Sequence, residues 1–120
     1  MKYVQIPKDI QIMVNGEPWK DSDNTVMPPW LFARYLENIV LADPAIGTAY
    51  KELKACVTVD ALFKAASPGT WVGVEDTHWE MLKAAIENPK GGGIPSAILR
   101  QFLPFMDAVL DAKSEKPEDQ

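Results

Sequence analysis

Ten prolines and seven glycines in 120 residues decide what this chain can build, because they cut it into segments too short for a long helix or a large sheet. The cuts fall at Pro7, Gly16-Glu17-Pro18, Pro28-Pro29, Pro44, Pro68-Gly69, Pro89 to Pro95 and Pro104. Each interval between them carries its own periodicity. Tyr3, Val4 and Ile6, then Ile10, Ile12 and Val14, read as β structure. Asn15-Gly16 suits a two-residue turn that needs positive φ at both positions, so a hairpin is expected with its return strand over Glu17 to Lys20. Pro18 cannot donate to a ladder and places that strand at an edge. Thr70 to Val74 predicts a short third strand, available to add to the hairpin.

The remaining intervals read as helix. The first starts at Pro28-Pro29, with Leu31, Phe32, Tyr35, Leu36, Ile39 and Val40 forming one apolar face. The second starts at Asp43-Pro44, an N-cap followed by proline, with Ile46, Tyr50, Leu53 and Val57 on its inner side. It either runs on through Ala61 or breaks at Cys56 to Val59, with Asp60 capping a short helix over 61–66. The third spans about 77 to 88, and the fourth runs from Pro95 with a kink near Arg100 imposed by Pro104. Strands first and helices after imply segregation, so the fold class is α+β: an N-terminal hairpin packed against four to five helices. Residues 1–112 form one domain, and the apolar-free KSEKPEDQ at 113–120 predicts a disordered acidic tail.

The totals bound the function. A net charge of −5 without any basic cluster leaves no footprint for a phosphate backbone, so nucleic acid is not the expected partner. The lone Cys56 fits a reducing compartment. No leader-like apolar segment opens the chain and no run approaches a membrane span, so a soluble cytoplasmic protein is expected.

Three places could carry chemistry, and each has a structural explanation. The segment VEDTHWEMLKAAIENP, residues 74–89, holds the single histidine, His78, among Glu75, Asp76 and Glu80. A metal there would need a ligand one turn on, where Leu82 stands. Thr77 and Glu80 instead have capping-box spacing, with Asp76 an equally good N-cap, and acidic residues suit the positive end of a helix. Cys56 has neither a neighbouring base nor a basic setting. Gly91-Gly92-Gly93 lacks the Lys-Ser/Thr of a phosphate loop and no strand precedes it. The expectation is therefore no catalysis, no metal and no cofactor.

Binding is the better candidate. Trp19, Trp30, Arg34 and Tyr35 fall within a short stretch. On a helix Trp30 and Arg34 share a face, which is expected to point outward as a protein-binding anchor. The competing reading is that Trp30 folds back beneath the hairpin and Arg34 covers it.

The segments PPWLFARYLE (28–37), VEDTHWEMLKAAIENP (74–89) and PSAILRQFLPFMDAVLDA (95–112), with the charged tail after them, resemble small tail-assembly proteins of tailed bacteriophages. The likeness is to the chaperone type and implies a largely helical, acidic, non-enzymatic accessory protein that holds a tail component until assembly. Another protein, or a second copy, is the expected partner. The alternative is a small acidic regulator or inhibitor of a host protein, its carboxylates mimicking phosphates.

Overall fold

The computed structural model describes residues 1–117 and has the expected α+β architecture, but its sheet is paired differently. Strand β1 (Lys2–Gln5) pairs antiparallel with β4 (Trp71–Val74), in the register Lys2↔Val74 to Gln5↔Trp71. The 13–18 hairpin is separate: β2 (Met13–Val14) and β3 (Glu17–Pro18) join through Asn15 (φ 53°) and Gly16 (φ 81°), the positive-φ turn that Asn-Gly favours. Thus the third strand forms where expected, yet it extends β1 and not the hairpin. The physical reason is burial. Val4 and Val74 are fully buried and carry the two-stranded sheet onto the core, whereas Met13, Val14 and Glu17 lie in solvent.

The hairpin is anchored by a side chain. The Gln101 carboxamide accepts from Met13 N–H and donates to Met13 O, both at 2.8 Å, as a neighbouring strand would. On the other edge of β1, Tyr3 and Lys113 exchange two backbone hydrogen bonds of 2.8 and 2.9 Å. Lys113, expected as the start of a free tail, is therefore tied to the sheet; residues 118–120 of that segment lie outside the described residues.

Helix α1 (Phe32–Tyr35) begins later than its prolines suggest and passes into a wider π-helical turn over Leu36–Val40. Asn38 Nδ2 donates to Arg34 O at 3.0 Å, taking the acceptor that its own amide would use, and Leu41 N–H reaches back five residues to Leu36 O. Asp43 then caps a single 3-10 turn, Pro44–Ile46, which Gly47 ends at φ 89°. Helix α2 (Tyr50–Lys64) starts afresh beyond it and is continuous through Cys56 to Val59. Helix α3 (Asp76–Glu87) follows β4. At Pro104 the expected kink appears: α4 (Ser96–Leu99), a 3-10 turn at Arg100–Phe102 and α5 (Leu103–Leu110) replace one helix.

These elements close over an aromatic centre. Phe32 meets Phe63 and Phe105 edge-on at 5.3 and 5.4 Å, and Tyr35 stacks on Phe102 at 5.1 Å. Leu31, expected on the inner face of the first helix, is about half exposed, because it precedes α1. Among the described residues no helix is long and apolar enough to cross a membrane.

Candidate protein interface

The aromatic residues expected at an outward site are placed inside. Pro28-Pro29 keep the chain extended as far as Trp30, whose backbone exchanges hydrogen bonds of 2.7 and 3.0 Å with Ile10. Trp30 is thus not helical, and the one-turn spacing to Arg34 does not set its direction. Its indole is only 9% exposed and packs edge-on against Phe102 at 5.2 Å. Arg34 lies with its guanidinium 4.3 Å from the Trp30 ring, closing the core. Tyr35 is buried, and burial pushes its phenol above the ordinary range. The outward Trp30–Arg34 face is therefore corrected: Trp30 and Tyr35 belong to the core and Arg34 covers it. Trp19, half-buried, joins Trp30, Ile39, Ile94 and Ile98 around an apolar cleft of about 320 Å³.

The segment around His78 is a helix start, with different contacts from those expected. Glu75 is the N-cap, and no side chain caps the first turn, so the Thr77–Glu80 box does not form. Asp76 instead meets the Met1 ammonium at 2.8 Å, and that hydrogen bond holds its carboxyl below the usual range. His78 Nε2 stands 3.8 Å from Glu75, beyond hydrogen-bond reach, and its buried Nδ1 has no partner among the described residues. Among the described residues no three His, Cys, Asp or Glu side chains are placed to hold a metal ion. Cys56 is half-buried; desolvation, then the charge of Glu52, raise its thiol pKa, the opposite of what a nucleophile needs. The glycine loop is engaged too. The amides of Lys90 and Gly91 donate to the Asp43 carboxylate at 2.9 Å each, beside the cap on Ala45 at 2.8 Å.

Helix α2 departs furthest from the sequence reading. Ile46, Tyr50, Leu53 and Val57 were expected along one inner face, but Gly47 detaches Ile46, which is buried from its own turn. The face that α2 buries is Ala55, Val59 and Phe63. Tyr50, Leu53 and Val57 point away, 74%, 52% and 71% exposed, and exposed Ala61 continues their line. At 1.5 Å per residue the stripe is about 16 Å long. A helix apolar on both sides is normally covered on both sides. The signal was legible: the four-residue spacing Ala55–Val59–Phe63 competes with Tyr50–Leu53–Val57 for the interior.

One lysine lies beside the stripe. Lys54 Nζ is 5.3 Å from the Tyr50 ring. Lys64 is bound by Glu37 and by Asp60, the latter at 2.9 Å. Among the described residues, Lys51 and Lys54 form no ion pair. Compared with protein-family models, with curated proteins and with solved structures, the chain finds no match.

Proposed function

We propose that this chain is a non-catalytic accessory protein of the cytoplasm that binds another protein on the outward face of α2. One observation carries the reading: α2 turns Tyr50, Leu53 and Val57 to solvent while burying Ala55, Val59 and Phe63 opposite them. Scattered exposed apolar residues need no explanation, but a contiguous stripe of them marks an interaction site. The charged residues around it, Lys54, Asp60 and Lys64, suit a protein partner better than a membrane core. The raised thiol of Cys56 and the isolated His78 support binding over catalysis.

The resemblance to phage tail-assembly chaperones selects the first partner to try, a tail protein encoded beside this chain. The acidic-regulator reading is second, because the face proposed for binding carries lysines where phosphate mimicry requires clustered carboxylates. The test is co-expression with the neighbouring gene products, followed by size-exclusion chromatography, for wild type and Val57→Asp. A complex lost in Val57→Asp at unchanged melting temperature supports the reading. A complex that survives the substitution removes the α2 face, and no complex with any tail protein removes the phage assignment.

A further inference from the structure

We infer that the cleft around Trp30 binds a small, neutral aromatic molecule that carries a hydrogen-bond acceptor such as a carbonyl. The cleft measures about 320 Å³, at the small end of the range for ligand sites. The rings of Trp19, Trp30 and Phe102 line it with Ile39, Ile94 and Ile98, and among the described residues no charged side chain does. An ion would lose its water there without meeting a counter-charge, so the occupant is neutral. Aromatic walls favour a flat ring, which stacks on them or meets them edge-on. One polar atom of that wall lacks a partner. Trp30 is only 9% exposed, and its Nε1 has no acceptor among the described residues. A donor buried without an acceptor is costly, and a ligand oxygen placed against it removes that cost.

The backbone around the cleft departs from regular structure on two sides. Asn38 and Ile39, both part of the lining, belong to the π-helical turn Leu36–Val40. A wider turn sets neighbouring side chains at a smaller angle, so both fall on the cleft side. Such turns are rare, and functional sites hold many of them. Gly93, Ile94 and Pro95 complete the lining from the glycine loop, with Ile94 41% exposed at its rim. Among the described residues neither Gly92 nor Gly93 donates a hydrogen bond, and a Cβ on either would meet nothing within 4 Å. Ile94 is therefore held by little and gives way to a ligand that reaches inward to Trp30 Nε1. No residue of α2 lines this cleft, so the site stands or falls apart from the α2 docking face.

The probes are acetophenone and ethylbenzene, matched in shape and differing by a carbonyl against a methylene, with benzoate as the charged arm. Nitrogen–proton NMR titration of the full chain both locates and measures binding. Acetophenone is expected to bind with a Kd of about 1 mM or below, shifting the amides of Asn38, Ile39, Ile94 and Ile98. Benzoate should bind at least about tenfold more weakly. Ethylbenzene gains more from leaving water, so the hydrogen bond is read from the ratio of the two affinities and not from either alone. That ratio should fall about fivefold in favour of ethylbenzene from wild type to Trp30→Phe. Ile94→Ala, at an exposed position that leaves the fold intact, should weaken both probes alike. The inference is overturned by no shift up to about 10 mM acetophenone, by shifts confined to other parts of the chain, by an unchanged ratio in Trp30→Phe, or by benzoate binding as well as acetophenone. Sedimentation of the chain alone covers the remaining occupant: a dimer dissolved by Ile94→Asp would place a second copy in the cleft and overturn the proposal.

Discussion

Replacing Trp30 and Trp79 separately by phenylalanine isolates one hydrogen bond in the core. The two indoles are close to matched. Both are buried, and both carry a cation over the ring, Arg34 at 4.3 Å on Trp30 and Lys2 at 4.9 Å on Trp79. Trp79 carries a second cation, Lys83 at 5.3 Å, and the buried difference lies at Nε1. Trp79 Nε1 donates to Val109 O at 2.8 Å, whereas Trp30 Nε1 is buried without a partner among the described residues. Either substitution removes similar apolar volume, a loss of about 1–2 kcal/mol. Trp79→Phe adds the loss of a buried hydrogen bond, about 1 kcal/mol, with the Val109 carbonyl still accepting from Ala112 N–H at 3.2 Å. Trp30→Phe instead removes an unpaired donor whose burial costs about 1–3 kcal/mol, which offsets the cavity. Trp79→Phe should therefore cost about 2–3 kcal/mol and Trp30→Phe about 1 kcal/mol or less. Urea unfolding followed by far-UV circular dichroism measures both, and the melting temperatures should differ by roughly 5–10 °C in the same order. Equal destabilisation, within about 0.5 kcal/mol, would refute the reasoning, because it would mean that the Trp30 N–H is satisfied.

Asp43 and Cys56 give two further predictions. Desolvation raises the Asp43 carboxyl, but the amides of Ala45, Lys90 and Gly91 and the charge of Lys90 outweigh it and hold the group below its ordinary value. A lowered folded value means stability that is present above the unfolded carboxylate pKa and lost as pH falls through the folded one. Asp43→Asn should therefore lower the urea midpoint at pH 7 and converge with wild type in strong acid; a constant difference across that range would refute the linkage. The thiol of Cys56, raised by burial and by Glu52, should react with Ellman's reagent at pH 7 more slowly in the folded chain than in urea. Equal rates would show that the site opens freely.

What the sequence disclosed follows from how local each signal is. Asn15-Gly16, Asp43-Pro44 and Pro104 act on their own neighbours, and the turn, the cap and the kink stand where their chemistry puts them. Strand pairing was not legible in the same way. The alternation of β1 and β4 says which residues face inward, but the partner of β1 is chosen across about seventy residues by which strand can bury Val4. Trp30 misled for a related reason. The i, i+4 relation to Arg34 holds only inside a helix, and two prolines followed by the Ile10 pairing keep Trp30 outside one.

In helix α2 the sequence periodicity defines the faces but not which of them turns inward. A 3.6-residue repeat identifies faces, and here two faces qualify, so hydrophobicity alone leaves the rotation undetermined. Shape settles it. The core has a place for a large ring against Phe32, and Phe63 fills it with ring centroids 5.3 Å apart. Val59, one turn before, is then fully buried, and Ala55, two turns before, is buried and lines one cleft with Ile46. Turning the helix over would bury Tyr50 and Val57 at the expense of that aromatic contact, and would drive Lys54 toward the interior, where charge is costly. The fit of Phe63 against Phe32 and the cost of burying Lys54 together set the second apolar face outward.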